Sequence, residues 1–150
     1  MGNLIDWSEA FRIGSPEIDA HHHVLVGILN ELHHAIHERK GRTACRRILK
    51  RLAHLAEVHF AVEESLMVLF HHPEYQAHKA EHARLIAEVG EMLDAIERYG
   101  RGVSFHRLHR LRLWFVQHIR MASEICAGQT SPSEVEWRKA YRGRVQRLGR

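Results

Sequence analysis

Four stretches of this chain place apolar residues at alternating steps of four and three, and histidine interrupts the series in each one. The first runs Ile18, His22, Leu25, Leu29, Leu32, Ile36, and the second Ile48, Leu52, Leu55, His59, Val62, Leu66. The third runs His78, His82, Leu85, Val89, Met92, Ile96, and the fourth Leu108, Leu111, Phe115, His118, Ala122, Ile125. Alternating threes and fours trace the inward seam of helices packed in a bundle. Gly41, Pro73 and the Gly100 and Gly102 pair break the chain between stretches. Connections this short make consecutive helices antiparallel neighbours. The predicted fold is all-α: an antiparallel up-down-up-down four-helix bundle, with room in 150 residues for one domain and a sizeable core.

The bundle domain is assigned to 1–130. Within it, residues 1–16 lack the seam rhythm but carry Trp7, Phe11 and Ile13, the makings of an arm packed across the helices. Residues 131–150 form a basic amphipathic C-terminal extension. Ser131-Pro132-Ser133-Glu134 reads as a helix start, and Trp137, Tyr141, Val145 and Leu148 recur at helical spacing among arginines, with Gly143 as an interruption. This short helical tail either packs back on the bundle or docks a protein partner or an acidic membrane surface. The tail accounts for the whole formal charge of +4, so the rest of the chain is near neutral and no nucleic acid is expected as a partner.

The histidines on the seams converge. In an up-down-up-down bundle, the start of the first helix, the end of the second, the start of the third and the end of the fourth share one end. His22, His59, His78, His82 and His118 all fall there facing inward, and Glu63 joins them one turn after His59. Burying such groups unpaired costs roughly a few kcal/mol each, and a metal ion removes that cost by taking their lone pairs. Imidazoles with one carboxylate suit a first-row metal such as iron, manganese or zinc. Of the 15 histidines, His21 and His23 flank His22 off the seam. His33, His34, His37, His54, His71, His72, His106 and His109 also lie off the seams or in loops, and all ten are expected at boundary or solvated positions.

Cys45 and Cys126 are far apart, which fits reduced thiols. Cys45 is expected at the far end of the bundle; Cys126 is either a structural thiol or a redox-active one near the metal end. The start MGNLIDWSEA has neither the basic residues nor the apolar run of a signal peptide, and Asp6 stands where myristoylation after Gly2 needs Ser or Thr. No apolar run is long enough to span a bilayer, and a cytoplasmic location is expected.

In order, Gly14, Ile18-Asp19, His21-His22, Asn30-Glu31-Leu32-His33, HFAVEESLM at 59–67, the His78 and His82 pair and WFVQHI at 114–119 resemble a bacterial haemerythrin. That family is a non-haem di-iron four-helix bundle that binds oxygen, and the likeness runs from Trp7 to about His118. The resemblance implies two non-haem iron ions joined by an oxo or hydroxo bridge. His78, His82 and His118 would hold one iron, His22 and His59 the second, where O2 enters, and Glu63 would bridge the two. Phe60 and Ile119 would belong to an apolar wall around the site. The implied function is reversible dioxygen binding for storage, delivery or sensing.

The departure is at Ser123. The family has an aspartate five residues after its fourth-helix histidine, as a second carboxylate bridge, and here that position is Ser123. Either Glu124 takes the place with a shift of the helix end, or water or hydroxide fills it. Losing an anionic ligand disfavours the ferric state and opens a coordination site, which favours an alternative: a di-iron enzyme handling peroxide or nitric oxide. A metal buffer or structural zinc bundle, and an adaptor acting through residues 131–150, are further alternatives.

Overall fold

The computed structural model describes residues 2–126, with side chains as far as Ala122. The expected helical tail at 131–150 and the side chains of Ser123, Glu124 and Cys126 therefore lie outside the described residues. Helix α1 spans Pro16–His37, α2 Arg42–Leu69, α3 Tyr75–Tyr99 and α4 Phe105–Cys126, preceded by a single 3-10 turn at Glu9–Phe11. Among the described residues there is no strand. Helix α1 packs on α2 and α4, and α2 packs on α3, giving the antiparallel four-helix bundle that the seams predict.

Local chemistry sets the helix limits. Ser15 caps α1, Pro16 opens it, and Glu17 and Asp19 place negative charge against the exposed N–H groups of its first turn. This start signal brings the helix in at Pro16, one residue inside the stretch read as an arm. At the other end of the bundle Gly100 terminates α3 in the left-handed region, at φ +60°. The Arg42 guanidinium occupies the space a side chain at Gly100 would need, and donates to the Gly100 carbonyl at 2.6 Å. Glycine is required there by the backbone angle; the Arg42 guanidinium, the end of a flexible side chain, could shift.

The seams are the core. Leu25, Leu29 and Leu32 meet Ile48, Leu52, Leu85, Val89, Met92, Ile96, Leu108, Leu111 and Phe115 in one buried cluster. Ile36 and Leu55 are only half-buried. A second cluster of Ile18, Val62 and Leu66, backed by Ile13 and Phe70, closes the opposite end. Since Ile18 lies one turn before His22, and Val62 and Leu66 flank Glu63 on α2, the polar residues of the seams are held between two apolar layers. Cys45 lies in the main core near the start of α2, at the end away from those polar residues, and burial pushes its thiol up.

The N-terminal arm is fastened by side chains rather than by a sheet. Asn30 accepts from the Ile5 N–H and donates to the Ile5 carbonyl, both at 2.9 Å. Arg112 of α4 donates to the Leu4 carbonyl at 3.0 Å, and Asp19 accepts from the Ile13 N–H at 2.8 Å. These bonds seat Ile5 in the core and lay Trp7 and Phe11 against it. Asn30→Ala removes two partly buried hydrogen bonds at once. It is expected to lower the unfolding free energy by about 2 kcal/mol in urea titration, and to make residues 2–15 the first site of proteolysis. Unchanged stability and cleavage pattern would show that the arm is held by its apolar contacts alone.

Candidate metal centre

His59 and Glu63 lie one turn apart on α2, so their side chains rise from the same face, with His59 Nε2 2.8 Å from Glu63 Oε1. His118 of α4 approaches from across the bundle, its Nε2 3.1 Å from the same oxygen and 3.2 Å from His59 Nε2. His22 of α1 comes to 3.5 Å of Oε1. The donor atoms of these four residues lie within 4.8 Å of one another. On the other side, His82 Nε2 of α3 stands 3.2 Å from Glu63 Oε2. His78, one turn before it, lies at the rim of the group, with its ring centroid 6.4 Å from that of His82. All six are buried, none more than 6% exposed.

The sequence-predicted set is thus brought to one place, with one difference in grouping. The resemblance assigns His118 to the same ion as His78 and His82. In the structure its Nε2 is grouped with His22 and His59 around Glu63 Oε1. Glu63 stands between the two sides, one oxygen turned to each.

Aromatic rings wall the site. Phe60 lies parallel to His82 at 4.0 Å between centroids, and Trp114 parallel to His118 at 5.0 Å. Phe115 meets His22 edge-on at 6.0 Å, and Ile119 is buried beside them. Phe60 has the place expected of it, and Ile119 is buried in the main core. Trp114 is an addition, foreshadowed only by its position one turn before His118. His21 is another: its Nδ1 lies 3.1 Å from His59 Nδ1, so it touches the centre rather than facing solvent. The remaining nine off-seam histidines are half-buried or exposed, as expected.

The dry surroundings govern protonation. Burial pushes the His59 imidazole down to about 4, against the opposing pull of Glu63. Burial also lowers His78 and His21, assisted by neighbouring His82 and His22 respectively. At Glu63 burial acts upward, but the imidazoles of His118 and His59 outweigh it and hold the carboxyl well below its usual range. At neutral pH Glu63 is a carboxylate and His59 a neutral imidazole, the protonation that metal ligation requires.

The hydrogen bonding is incomplete in a way that fits a metal. Both nitrogens of His22, both of His82 and Glu63 Oε2 are buried without a hydrogen-bond partner. The contacts of His22 and His82 with Glu63 are close, but not aligned for hydrogen bonds. Leaving such atoms unsatisfied costs about 1–3 kcal/mol each. Lone pairs converging from four helices are the donor set of a cation, and the imidazole and carboxylate chemistry suits iron, manganese or zinc.

A helical bundle enclosing such a donor set is a cation-binding protein by its design. Residues 14–125 match the Hemerythrin HHE cation binding domain. The chain is 30% identical over 126 residues to a bacteriohemerythrin of Stenotrophomonas maltophilia (strain R551-3), covering 84% of this chain and 81% of that one. It is likewise 30% identical over 149 residues to a bacteriohemerythrin of Pseudomonas aeruginosa (strain LESB58), covering 98% and 95%. In three dimensions it superposes on the crystal structure of a hemerythrin point mutant with a TM-score of 0.75 at 23% identity, over 83% of this chain and 95% of that one. The chain belongs to the hemerythrin family. No described helix is long and apolar enough to cross a membrane.

The protonation pattern gives a pH dependence for the metal-free protein. An unfolded imidazole titrates near 6.5, while His59 in the fold titrates near 4. Between those values the unfolded chain binds a proton that the folded chain does not, so acid favours unfolding. The contribution from His59 is complete above pH 6.5 and is lost as pH falls toward 4, reaching about 3 kcal/mol. Glu63 acts in the same direction at lower pH, because its stabilisation is present above 4.5 and disappears as pH falls through its depressed value. Urea unfolding of chelator-treated protein across this window should show stability falling with acidity, and a flat profile would contradict it.

Proposed function

We propose that this chain holds two iron ions and binds O2 reversibly, for storage, delivery or sensing. The observation that carries the reading is the buried cluster of His22, His59, Glu63 and His118, extended by His82 and His78, in which both nitrogens of His22 and His82 and Glu63 Oε2 lack partners, inside a family of cation-binding bundles. In this reading, which follows the family resemblance, His78, His82 and His118 would hold one ion, His22 and His59 the other, and Glu63 would serve both; His118, which stands with His22 and His59 in the structure, would turn toward His82. Two ferrous ions held there would supply the electrons that binding of O2 requires.

The chain's own residues do the rest. Glu63 brings a negative charge that partly offsets the metal charge, and its two oxygens already face different imidazoles. Held by His22 and His59 alone among the imidazoles, the second ion would keep a position that a small molecule could take. The parallel stacks of Phe60 on His82 and Trp114 on His118 hold those imidazoles in orientation. Together with Phe115 and Ile119 they exclude bulk water, which slows loss of bound oxygen as a reduced product.

The test is spectroscopic. Iron-loaded protein, reduced without air, should gain visible charge-transfer absorption when O2 is admitted and lose it when O2 is removed. Prompt, permanent conversion to the ferric form would reject reversible binding, and absence of any response with two irons per chain would reject oxygen binding altogether.

Ser123 supports a second reading, in which the same scaffold turns over peroxide or nitric oxide. Where family members carry a second carboxylate, serine contributes no charge and leaves a position for an exchangeable ligand. Restoring the carboxylate by Ser123→Asp should then lengthen the lifetime of the oxygenated form on the order of tenfold and reduce peroxide turnover with a reducing co-substrate. If neither changes in stopped-flow measurements, the serine has no part in choosing between carriage and turnover.

A further inference from the structure

His21 lies off the helical seam, yet its half-buried ring meets His59 edge to face, with centroids 5.2 Å apart and planes at 85°. The contact is made nitrogen to nitrogen: His21 Nδ1 is 3.1 Å from His59 Nδ1. The other nitrogen of His59 points into the centre, 2.8 Å from Glu63 Oε1. His59 is only 1% exposed, so water does not serve its Nδ1.

A neutral imidazole carries one proton, and its location decides what each nitrogen can do. Nε2 of His59 can offer a lone pair to a metal only if the proton is on Nδ1. A buried Nδ1–H needs an acceptor, and His21 Nδ1 is in place to be one. His21 must then keep that nitrogen unprotonated and carry its own proton on Nε2. The opposite polarity is equally definite in its consequence. If His21 donates, the proton of His59 moves to Nε2, points at Glu63 and blocks the lone pair, the arrangement that the 2.8 Å contact with the ionised carboxylate favours until a metal takes its place.

We propose that His21 is a positioning residue for the metal centre: by accepting the Nδ1 proton of His59 it fixes the tautomer and ring orientation that turn the His59 Nε2 lone pair inward. The proposal rests on the reading of this centre as a metal site. Partners of this kind, one bond removed from the metal, typically change metal affinity by about 10- to 100-fold.

Two variants and two measurements test it. His21→Leu removes the acceptor and keeps apolar bulk, whereas His21→Asn places an amide oxygen at about the position of Nδ1. Long-range proton–nitrogen correlation NMR on zinc-loaded, diamagnetic protein reads which nitrogen of His21 and of His59 is protonated. Anaerobic ferrous iron, titrated against a competing chelator, reads the affinity. The zinc-loaded wild type should show His59 protonated on Nδ1 and His21 on Nε2, with the His21 Nδ1 bare. His21→Asn should bind iron as the wild type does, and His21→Leu about 10- to 100-fold more weakly, with helix content by circular dichroism unchanged. The proposal is overturned if His21 of the zinc-loaded wild type is protonated on Nδ1, if His21→Leu binds iron as the wild type does, or if both variants weaken binding equally. The wild-type spectrum decides the matter even if His21→Leu does not fold. If no form binds zinc or iron, the metal reading falls and the proposal with it.

Discussion

A carboxylate held among imidazoles in a dry layer is the constraint around which this protein is arranged. Glu63 is ionised and nearly inaccessible to water, a state that no helix could sustain alone. Its charge is tolerable because His59, one turn earlier, and His118, from across the bundle, direct nitrogens at it. His59 is itself buried and resists protonation, and the nitrogens of His22 and His82 find no hydrogen-bond partner, so the layer keeps lone pairs to spare. An arrangement with this imbalance is a poor way to stabilise a bundle and a good way to receive a cation. The stability of the fold must come from elsewhere.

It comes from the apolar layers on either side. The long cluster from Leu25 to Leu111 supplies most of the buried surface, and Ile18, Val62 and Leu66 close the near end. Each fully buried leucine is worth about 2 kcal/mol, so the nine buried among the described residues can carry a polar layer that contributes little or nothing. The helix connections at Gly41 and Gly100 lie at the far end, where Arg42 ties α2 to the end of α3. The arm, held by Asn30 and Arg112, adds Ile5 to the core and lays Trp7 edge-on against His23 of α1.

The aromatic residues connect packing to chemistry. Phe60 and Trp114 are apolar surface to the core and flat supports to His82 and His118. One set of contacts therefore fixes ring orientation and lowers the local dielectric, and the same dryness keeps His59 neutral. With a single carboxylate in the cluster among the described residues, such a site has fewer negative charges with which to hold ferric ions than the two-carboxylate pattern of the family. That difference is chemical rather than architectural, and under the proposed function it bears on whether oxygen is carried or consumed.

Much of this was legible in the chain itself. The helices follow from a 3-and-4 apolar period and from local signals such as Ser15-Pro16 and Gly100, because helix formation depends on near neighbours. The His59 and Glu63 pair and the His78 and His82 pair were legible for the same reason: one helical turn fixes their common direction. The common end of the bundle followed from short connections. What spacing could not supply were relations between helices, which depend on axial rotation, interhelical distance and rotamer. Such relations decided that His118 stands with His22 and His59, that Trp114 lies flat on His118, and that Asn30 reaches back to Ile5. They also turned His21, a neighbour of the seam by sequence, against His59 on the next helix. The sequence by itself determined which groups share a helix face and which end of the bundle they occupy. Only the tertiary structure decided which nitrogen meets which oxygen, because an ångström of helix displacement leaves the period untouched and remakes every such contact.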